Sequence, residues 1–171
     1  TYDIPNHAVT NHFLEESAFR VSALRSLGSY ANVFASESFI DELAIEAGID
    51  PLDFRLNMAS DDRTTAVLEE VAELSGWRDA TFDETSGHGI AFNRYENNSA
   101  YAAVVAEVSV DTESGVIDID TMYGADDSGE AVSPDGIANQ IEGGMIQAAS
   151  WTLKESVDVG PDGIEDQDWS N

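Results

Sequence analysis

The pattern of apolar residues changes near residue 78, and this change constrains the fold more than any other feature of the sequence. Before it, apolar side chains recur at helical spacing, as in residues 39–47. After it, apolar and polar residues alternate, as in residues 101–110. Helices are therefore expected before this point and strands, joined by a hairpin, after it. We expect an extended segment plus a helical part over 1–78, and a β-hairpin plus a long helix over 79–171, together forming one compact unit.

The first helix is expected to follow a loop in which Gly28 adopts a positive φ. Ser36 or Ser38 can cap this helix, and Gly48 can close it. Its apolar residues fall on one stripe, which predicts that this side faces the core. The stripe consists of Phe39, Ile40, Leu43, Ala44 and Ala47.

Two more helices are predicted from their capping residues. Asp50 is suited to the N-cap of the second helix, because Pro51 then occupies its first turn. Asp61 or Asp62 starts the third helix, and Gly76 ends it.

The second segment predicts strands and then a helix. Residues 89–92 and 101–110 read as strands, and in the longer one Val104, Ala106, Val108 and Val110 lie on one face. Residues 111–115 form a hairpin connection to a return strand at 116–120. Ser133, Pro134 and Asp135 form a strong N-terminal signal for a helix that we expect to end near Glu155.

Acidic residues greatly outnumber basic ones: 34 Asp and Glu stand against 7 Lys and Arg, for a formal net charge of -27. Such a surface repels phosphate backbones and anionic lipids, so we expect neither a nucleic-acid binder nor a membrane-inserted protein. In addition, no run of about 18 apolar residues is present. This acidity favours adaptation to concentrated salt, where the screening length falls to about 3 Å. The alternative is an unusually acidic protein that works at ordinary salt concentrations.

Metal-binding and catalytic signatures are weak in the sequence. The chain has no cysteine, which excludes a disulfide scaffold, a Cys-ligated zinc site and a Cys-ligated iron–sulfur cluster within it. We expect His7, His12 and His88 to be ordinary surface residues, because none has a second ligand at helical spacing. Asp126 and Asp127 are adjacent, and neighbours at a strand end point apart, so we do not expect a catalytic carboxylate pair.

Two places suggest binding. Arg25 lies in a Ser- and Gly-containing loop of a chain that is short of cations, and it could recognise an anion or phosphate. The alternative is an ion pair with one of the many carboxylates. Gly143 and Gly144 follow Gln140 in a predicted helix, where each glycine is unfavourable by about 1 kcal/mol. They indicate that something approaches the backbone closely, and the alternative is tight packing against another helix.

Several segments occur in an order that resembles a known family. The chain is similar to the molybdopterin-binding large subunit of the xanthine dehydrogenase and aldehyde oxidase family, and most similar to the isoquinoline 1-oxidoreductase beta-subunit type. The likeness covers residues 2–156, nearly the whole chain. Its segments include Tyr2-Asp3-Ile4-Pro5-Asn6, Leu24-Arg25-Ser26-Leu27-Gly28-Ser29, Asp50-Pro51-Leu52-Asp53-Phe54-Arg55, Gly87-His88-Gly89-Ile90-Ala91 and Gln140-Ile141-Glu142-Gly143-Gly144.

This resemblance implies a molybdenum hydroxylase, which inserts oxygen from water into a C–H bond of an aldehyde or aromatic heterocycle. Its cofactor is molybdopterin with molybdenum, and electrons leave through an iron–sulfur partner. The resemblance also implies an α+β fold, an antiparallel sheet with packed helices, that is part of a molybdopterin-binding domain. By the resemblance, Arg25 and Gly28 lie in an arginine–glycine loop that contacts the cofactor. Gln140 matches the glutamine of a Gln-x-Glu-Gly-Gly motif near the same cofactor. These three residues are therefore the expected cofactor-binding residues, and no catalytic or metal-ligating residue is expected in this chain.

The sequence also departs from the family pattern. Ser128 stands where the family often has cysteine, and Ala8 stands near the position of a substrate arginine, which argues against xanthine as substrate. The family's catalytic glutamate motif and its first molybdopterin-binding segment do not appear. We therefore expect a salt-adapted fragment or split version of the large subunit that is inactive alone, needs the remaining segments, and could self-associate. The alternative is a stand-alone acidic structural or interaction domain without cofactor.

Overall fold

The computed structural model describes residues 2–17, 22, 24–96 and 98–165. It confirms the α+β class: four helices accompany a three-stranded antiparallel sheet and a small hairpin. Within these residues, no helix is long and apolar enough to cross a bilayer. The elements in chain order are α1 Ser29–Ala47, α2 Pro51–Asn57, α3 Asp62–Ser75, β1 Ser86–Tyr95, β2 Ala100–Val110, β3 Ile117–Asp127, α4 Pro134–Leu153, β4 Val159–Gly160 and β5 Gly163–Ile164.

Most predicted helix termini are confirmed. The side chains of Asp50, Asp61 and Ser133 accept hydrogen bonds from backbone N–H groups in the first turns of α2, α3 and α4. These bonds satisfy donors that have no partner within the helix. Gly48 and Gly76 end α1 and α3 in the left-handed conformation, at φ values of 66° and 63°. A residue with a Cβ is strained at these two positions.

The first helix begins earlier than expected. It starts at Ser29, about two turns before the predicted cap at Ser36 or Ser38. Ser36 lies inside α1, and its hydroxyl donates to the carbonyl of Val33. Serine accepts such a position because its side chain can bond back to the preceding turn. The helix start predicted from these serines is therefore wrong.

The expected positive φ at Gly28 is wrong. Gly28 has a φ of -76° and is the N-cap residue of α1. The two residues before it carry the unusual conformation instead, with φ values of 67° at Ser26 and 51° at Leu27. Left-handed non-glycine residues are uncommon and are strained. This turn directly follows Arg25, so it determines the direction of the backbone next to that residue.

The sheet is a meander in the order β1-β2-β3, and its two faces differ. Residues 111–115 form the predicted hairpin connection, with Gly115 at a φ of 75°. One face of the sheet packs against α3, with Leu52 of α2 in the same core, and this core is drawn from both sequence segments. The face with Val104, Ala106 and Val108 is only half-buried. The core consists of Leu52, Val67, Leu68, Val71, Ala72, Trp77, Ile90, Phe92, Tyr101, Ala103, Val105 and Ala125.

The apolar stripe predicted for α1 is only partly buried. Ile40 and Ala44 are buried, whereas Phe39 and Leu43 are 57% and 39% exposed. The buried line continues to Glu37, three residues before Ile40, and therefore includes a charged residue. An α-helix turns by about 100° per residue, so the buried face centred on Ile40 leaves Phe39 beside it rather than on it.

A candidate cofactor-binding site

Arg25 and Gln140 are in direct contact. The Nη2 of Arg25 donates to the side-chain Oε1 of Gln140 at 3.0 Å and to its backbone carbonyl at 3.2 Å. The Nη1 of Arg25 donates to Oε1 of Gln147 at 3.1 Å. The loop before α1 is thereby joined to the face of α4, and two of the three predicted site residues meet. Gly28 lies three residues further along, at the start of α1.

The guanidinium of Arg25 has no carboxylate partner within the part of the chain that the structure describes. The expected alternative, an ion pair with an acid, is therefore wrong there: all three bonds end on neutral oxygens. Four other arginines each pair with a carboxylate, namely Arg55, Arg63, Arg78 and Arg94. A guanidinium carries five N–H donors, and three are used here. Arg25 is exposed, so its charge and two of its donors remain available.

Gln140 and Gln147 act as a pair because of their spacing. Seven residues make almost two turns of an α-helix, so both side chains project from the same side of α4. Sequence reasoning found Gln140 but missed Gln147. The seven-residue spacing was the signal that could have found it.

Gly143 and Gly144 leave the surface of α4 open beside this pair. A Cβ placed at Gly143 meets no atom within 4 Å in the described structure. A Cβ at Gly144 would lie 3.8 Å from Nη2 of Arg25. Tight packing against another helix, the expected alternative, is therefore not observed there. Because glycine has no side chain, these two residues instead leave the helix surface open next to the guanidinium.

An apolar groove of about 400 Å³ adjoins this site. It lies between α1, α4 and the half-buried face of the sheet, and Ser26, Gln140 and Gly144 form part of its wall. At the far end of the α4 helix, Trp151 packs edge-on against Tyr30 of α1 with ring centroids 4.7 Å apart. The other walls of the groove consist of Ser29, Tyr30, Val33, Phe34, Asn93, Ala102, Val104, Ile141, Met145, Ala148 and Thr152.

A close contact fixes α4 on the sheet. At Gly124 in β3, an added Cβ would lie 3.0 Å from Sδ of Met145 and 3.2 Å from Cγ2 of Ile141. These distances are shorter than ordinary van der Waals contact, so only glycine fits without movement. The close approach brings the Gln140–Gln147 side of α4 within reach of the loop that carries Arg25.

A buried ionic network holds α1 against α2 and the sheet. The Nε of Arg55 donates to Oε2 of Glu37 at 3.0 Å, and its Nη1 donates to Oδ1 of Asp41 at 2.6 Å. The same Glu37 oxygen accepts from the hydroxyl of Tyr2 and from the backbone N–H of Phe92. Burial raises the pKa of the Glu37 carboxyl, and the Arg55 guanidinium opposes this rise. Sequence reasoning missed this network entirely.

The adjacent acids at the end of β3, Asp126 and Asp127, have separate partners. Arg63 binds Asp127 in a bidentate manner, with Nε to Oδ2 at 2.7 Å and Nη2 to Oδ1 at 2.9 Å. This guanidinium lowers the pKa of Asp127. Asp126 accepts instead from the hydroxyl of Ser128. Arg63 also lies 4.1 Å from the ring centroid of Tyr101, so it serves as a structural clamp between α3 and the sheet.

His88 is not the ordinary surface residue that was expected. Its ring stacks on Trp77 with centroids 3.7 Å apart and an interplanar angle of 4°, and Phe82 packs against it. Its Nδ1 is buried and forms no hydrogen bond within the described part of the chain. Burial lowers the pKa of the imidazole, which favours the neutral ring. In the described residues, no group of three or more His, Asp or Glu side chains could hold a metal ion.

Comparison with known proteins identifies the family. A molybdopterin cofactor-binding domain model matches residues 26–167, which is most of the chain. The chain therefore belongs to the molybdopterin cofactor-binding domain family and represents a cofactor-binding region of the molybdenum hydroxylases. Arg25 lies one residue before the matched range, and Gly28 and Gln140 lie within it.

Three relatives support this assignment. A subunit of nicotinate dehydrogenase from Pseudomonas putida is 35% identical over 88% of this chain and 14% of its own length. The beta subunit of isoquinoline 1-oxidoreductase from Brevundimonas diminuta is 33% identical over 92% of this chain and 20% of its own length. Xanthine dehydrogenase of Oryza sativa is 36% identical over 49% of this chain and 6% of its own length. The chain thus spans a fifth or less of each of these relatives.

Proposed function

We propose that this chain forms part of the molybdopterin-binding surface of a molybdenum hydroxylase large subunit, with Arg25, Gly28 and Gln140 facing the cofactor. The observation that carries the proposal is the hydrogen bond between Arg25 and Gln140, at 3.0 Å. This bond joins two residues that are distant in sequence and that the family resemblance marks as cofactor contacts.

The chemistry of the site fits the cofactor. Molybdopterin carries a phosphate group, and a guanidinium with free donors and no carboxylate partner is well suited to bind phosphate. In the described structure Arg25 meets this condition, since its three bonds go to amide oxygens. The open surface at Gly143 leaves room for a ligand group beside the helix.

The role of this chain is to bind and orient. When bound, the cofactor supplies the oxygen-transfer and two-electron redox chemistry of the family. Arg25 donates to an anionic group, and Gln140 fixes the guanidinium while its own amide nitrogen stays available for a polar atom of the ligand. Gly28 is the N-cap residue of α1 and directly follows the strained turn at Ser26 and Leu27.

Activity is proposed to require more than this chain. The relatives are five or more times longer than the stretch they share with it, and two are named as subunits. We expect partners in the remaining segments of a large subunit and in an iron–sulfur subunit. The isolated chain is then expected to show no turnover, which an assay of dye reduction with an aldehyde tests directly. Dye reduction clearly above background contradicts this expectation.

Two further proposals concern the whole chain: its organisation as one unit and its adaptation to salt. Residues 1–78 and 79–171 are proposed to form one compact unit, because helices of the first and strands of the second share a core. The net charge of -27 supports adaptation to high salt, in which repulsion between carboxylates is screened.

The proposal is tested by the molybdenum and pterin content of the chain, produced in a host that makes the cofactor and purified in high salt. The wild type is expected to retain both, and Arg25→Ala is expected to lose most of them. Arg78→Ala is the matched control: it also removes one exposed arginine, whose partner Asp53 lies outside the site. A folded wild type that contains neither molybdenum nor pterin would favour the stand-alone domain without cofactor.

A further inference from the structure

Gln147 stands outside every motif that marks the site in the sequence, yet it makes one of the three hydrogen bonds that hold Arg25. We propose that Gln147 is a positioning residue, which fixes the guanidinium of Arg25 without neutralising it, so that Arg25 can bind an anionic phosphate-type group. This inference rests on the proposed function, because it concerns the same site.

The geometry supports two separate anchor points. Gln147 accepts from Nη1 of Arg25, whereas Gln140 accepts twice from Nη2. Bonds to both terminal nitrogens fix the plane of the guanidinium, since one anchor alone would let it rotate. The remaining donors then point in a defined direction, as bidentate phosphate binding requires.

The neutral character of the acceptors matters as much as their position. Acids outnumber bases by 34 to 7 in this chain. The other four arginines that the structure describes each pair with a carboxylate, whereas Arg25 does not. A glutamate at position 147 could make the same hydrogen bond as glutamine and would even strengthen it. It would also cancel the charge that attracts an anion. The neutral amide of Gln147 therefore orients Arg25 without cancelling its positive charge.

Two substitutions distinguish positioning from simple structural support. Gln147→Glu keeps an acceptor for Arg25 but adds a negative charge. Gln147→Leu keeps the size but removes the acceptor. A purely structural role predicts that Gln147→Glu behaves as the wild type and that Gln147→Leu is impaired. The positioning role predicts that both lose anion binding, and that Gln147→Glu loses more although it folds equally well.

Asn139→Asp is the matched control for charge. It adds the same negative charge to α4 one residue away from Gln140, at an exposed side chain that bonds the carbonyl of Asp135 and does not contact Arg25. Any loss that comes only from a more negative helix appears in this variant too.

The measurement follows the Nε–H signals of the arginines by NMR during titration with inorganic pyrophosphate. The chain has six arginines, since Lys154 is the single lysine among seven basic residues, so the spectrum is simple. The Arg25 signal, assigned with Arg25→Lys, is expected to shift and saturate in the wild type and in Asn139→Asp. In Gln147→Glu the affinity is expected to fall at least about ten-fold, with an unchanged melting temperature.

The outcomes separate this inference from the proposed function. Wild-type affinity for pyrophosphate in Gln147→Glu would overturn the role of Gln147 and leave the role of Arg25 intact. A wild-type Arg25 signal that does not respond to pyrophosphate would contradict the binding of an anion by Arg25, and both proposals with it.

Discussion

Arg25 and Gln140 are 115 residues apart in sequence, and their side chains are joined by a 3.0 Å hydrogen bond. One lies in the loop before the first helix, and the other lies on the last helix. Both helices pack on the sheet, and α4 is held at short distance on Gly124. Binding at this site therefore depends on packing far from Arg25 itself.

Arg55 is expected to be essential for stability. It is fully buried and binds Glu37 and Asp41, so its removal leaves the buried Glu37 carboxylate and the partly exposed Asp41 carboxylate without a counter-charge. Arg55→Met is expected to lower the free energy of unfolding by about 3–5 kcal/mol. Urea denaturation at constant salt measures this value.

The control is Arg78→Met, which removes an exposed ion pair with Asp53. Such pairs contribute at most about 1 kcal/mol. Equal losses in the two variants would show that burial of the Arg55 network has no energetic importance.

Asp61 is expected to make stability depend on acid pH. Partial burial opposes the change, but hydrogen bonds from Thr64, Tyr101 and Arg94 lower its pKa from 3.8 to about 2. A carboxyl with a depressed folded-state pKa stabilises the fold above its unfolded pKa, and this contribution is lost as pH falls towards the folded pKa. Because the side chain is about one-third exposed, the contribution near pH 7 is about 1 kcal/mol.

The test compares wild type with Asp61→Asn by urea denaturation across acid pH. Asparagine still caps a helix but carries no charge. The difference in unfolding free energy is expected to be constant from about pH 7 to 5 and to shrink between about pH 4 and 2. A difference that stays constant down to the lower limit would refute the depressed pKa.

Two glycine substitutions are expected to have opposite effects. Gly124→Ala places a methyl group against Ile141 and Met145 and is expected to destabilise the fold by about 1–3 kcal/mol. Gly143→Ala meets nothing within 4 Å among the described residues and is expected to stabilise α4 by about 0.5–1 kcal/mol. Thermal melts of the two variants measure both effects. Stabilisation by Gly124→Ala would show that α4 does not pack on β3 this closely.

Salt is expected to stabilise the chain. Raising KCl from about 0.1 M to about 1 M shortens the screening length from about 10 Å to about 3 Å, which relieves repulsion within a surface of net charge -27. The melting temperature is expected to rise by several degrees. Sucrose is the control, because it stabilises proteins by exclusion without screening charge. A melting temperature that does not change with KCl would remove the salt-adaptation proposal.

Local signals in the sequence predicted much of the fold. Asp50, Asp61 and Ser133 each cap the helix that follows them. These caps were predictable because a helix cap depends on the capping residue and its neighbours in the chain, such as a proline in the first turn. Gly48 and Gly76 end helices for the same local reason. The hairpin at 111–115 likewise depends on adjacent residues.

The errors occurred where distant contacts decide the structure. Ser36 looks like a helix cap, but packing continues α1 through it. No local signal indicates that Glu37 is buried, but Arg55 and Phe92 bind its carboxylate inside the fold. At the site, the family resemblance marked Arg25 and Gln140 separately. Their contact, and the part of Gln147 in it, appear only when the loop before α1 meets α4 in space.

The most direct measurement is an experimental structure of the chain with molybdopterin bound, in whatever assembly retains the cofactor. We expect an anionic oxygen of the cofactor within about 3.2 Å of the Arg25 guanidinium, with Gln140 and Gln147 still holding it from α4. A cofactor bound elsewhere, or Arg25 paired with a carboxylate in the loaded state, would contradict the central claim.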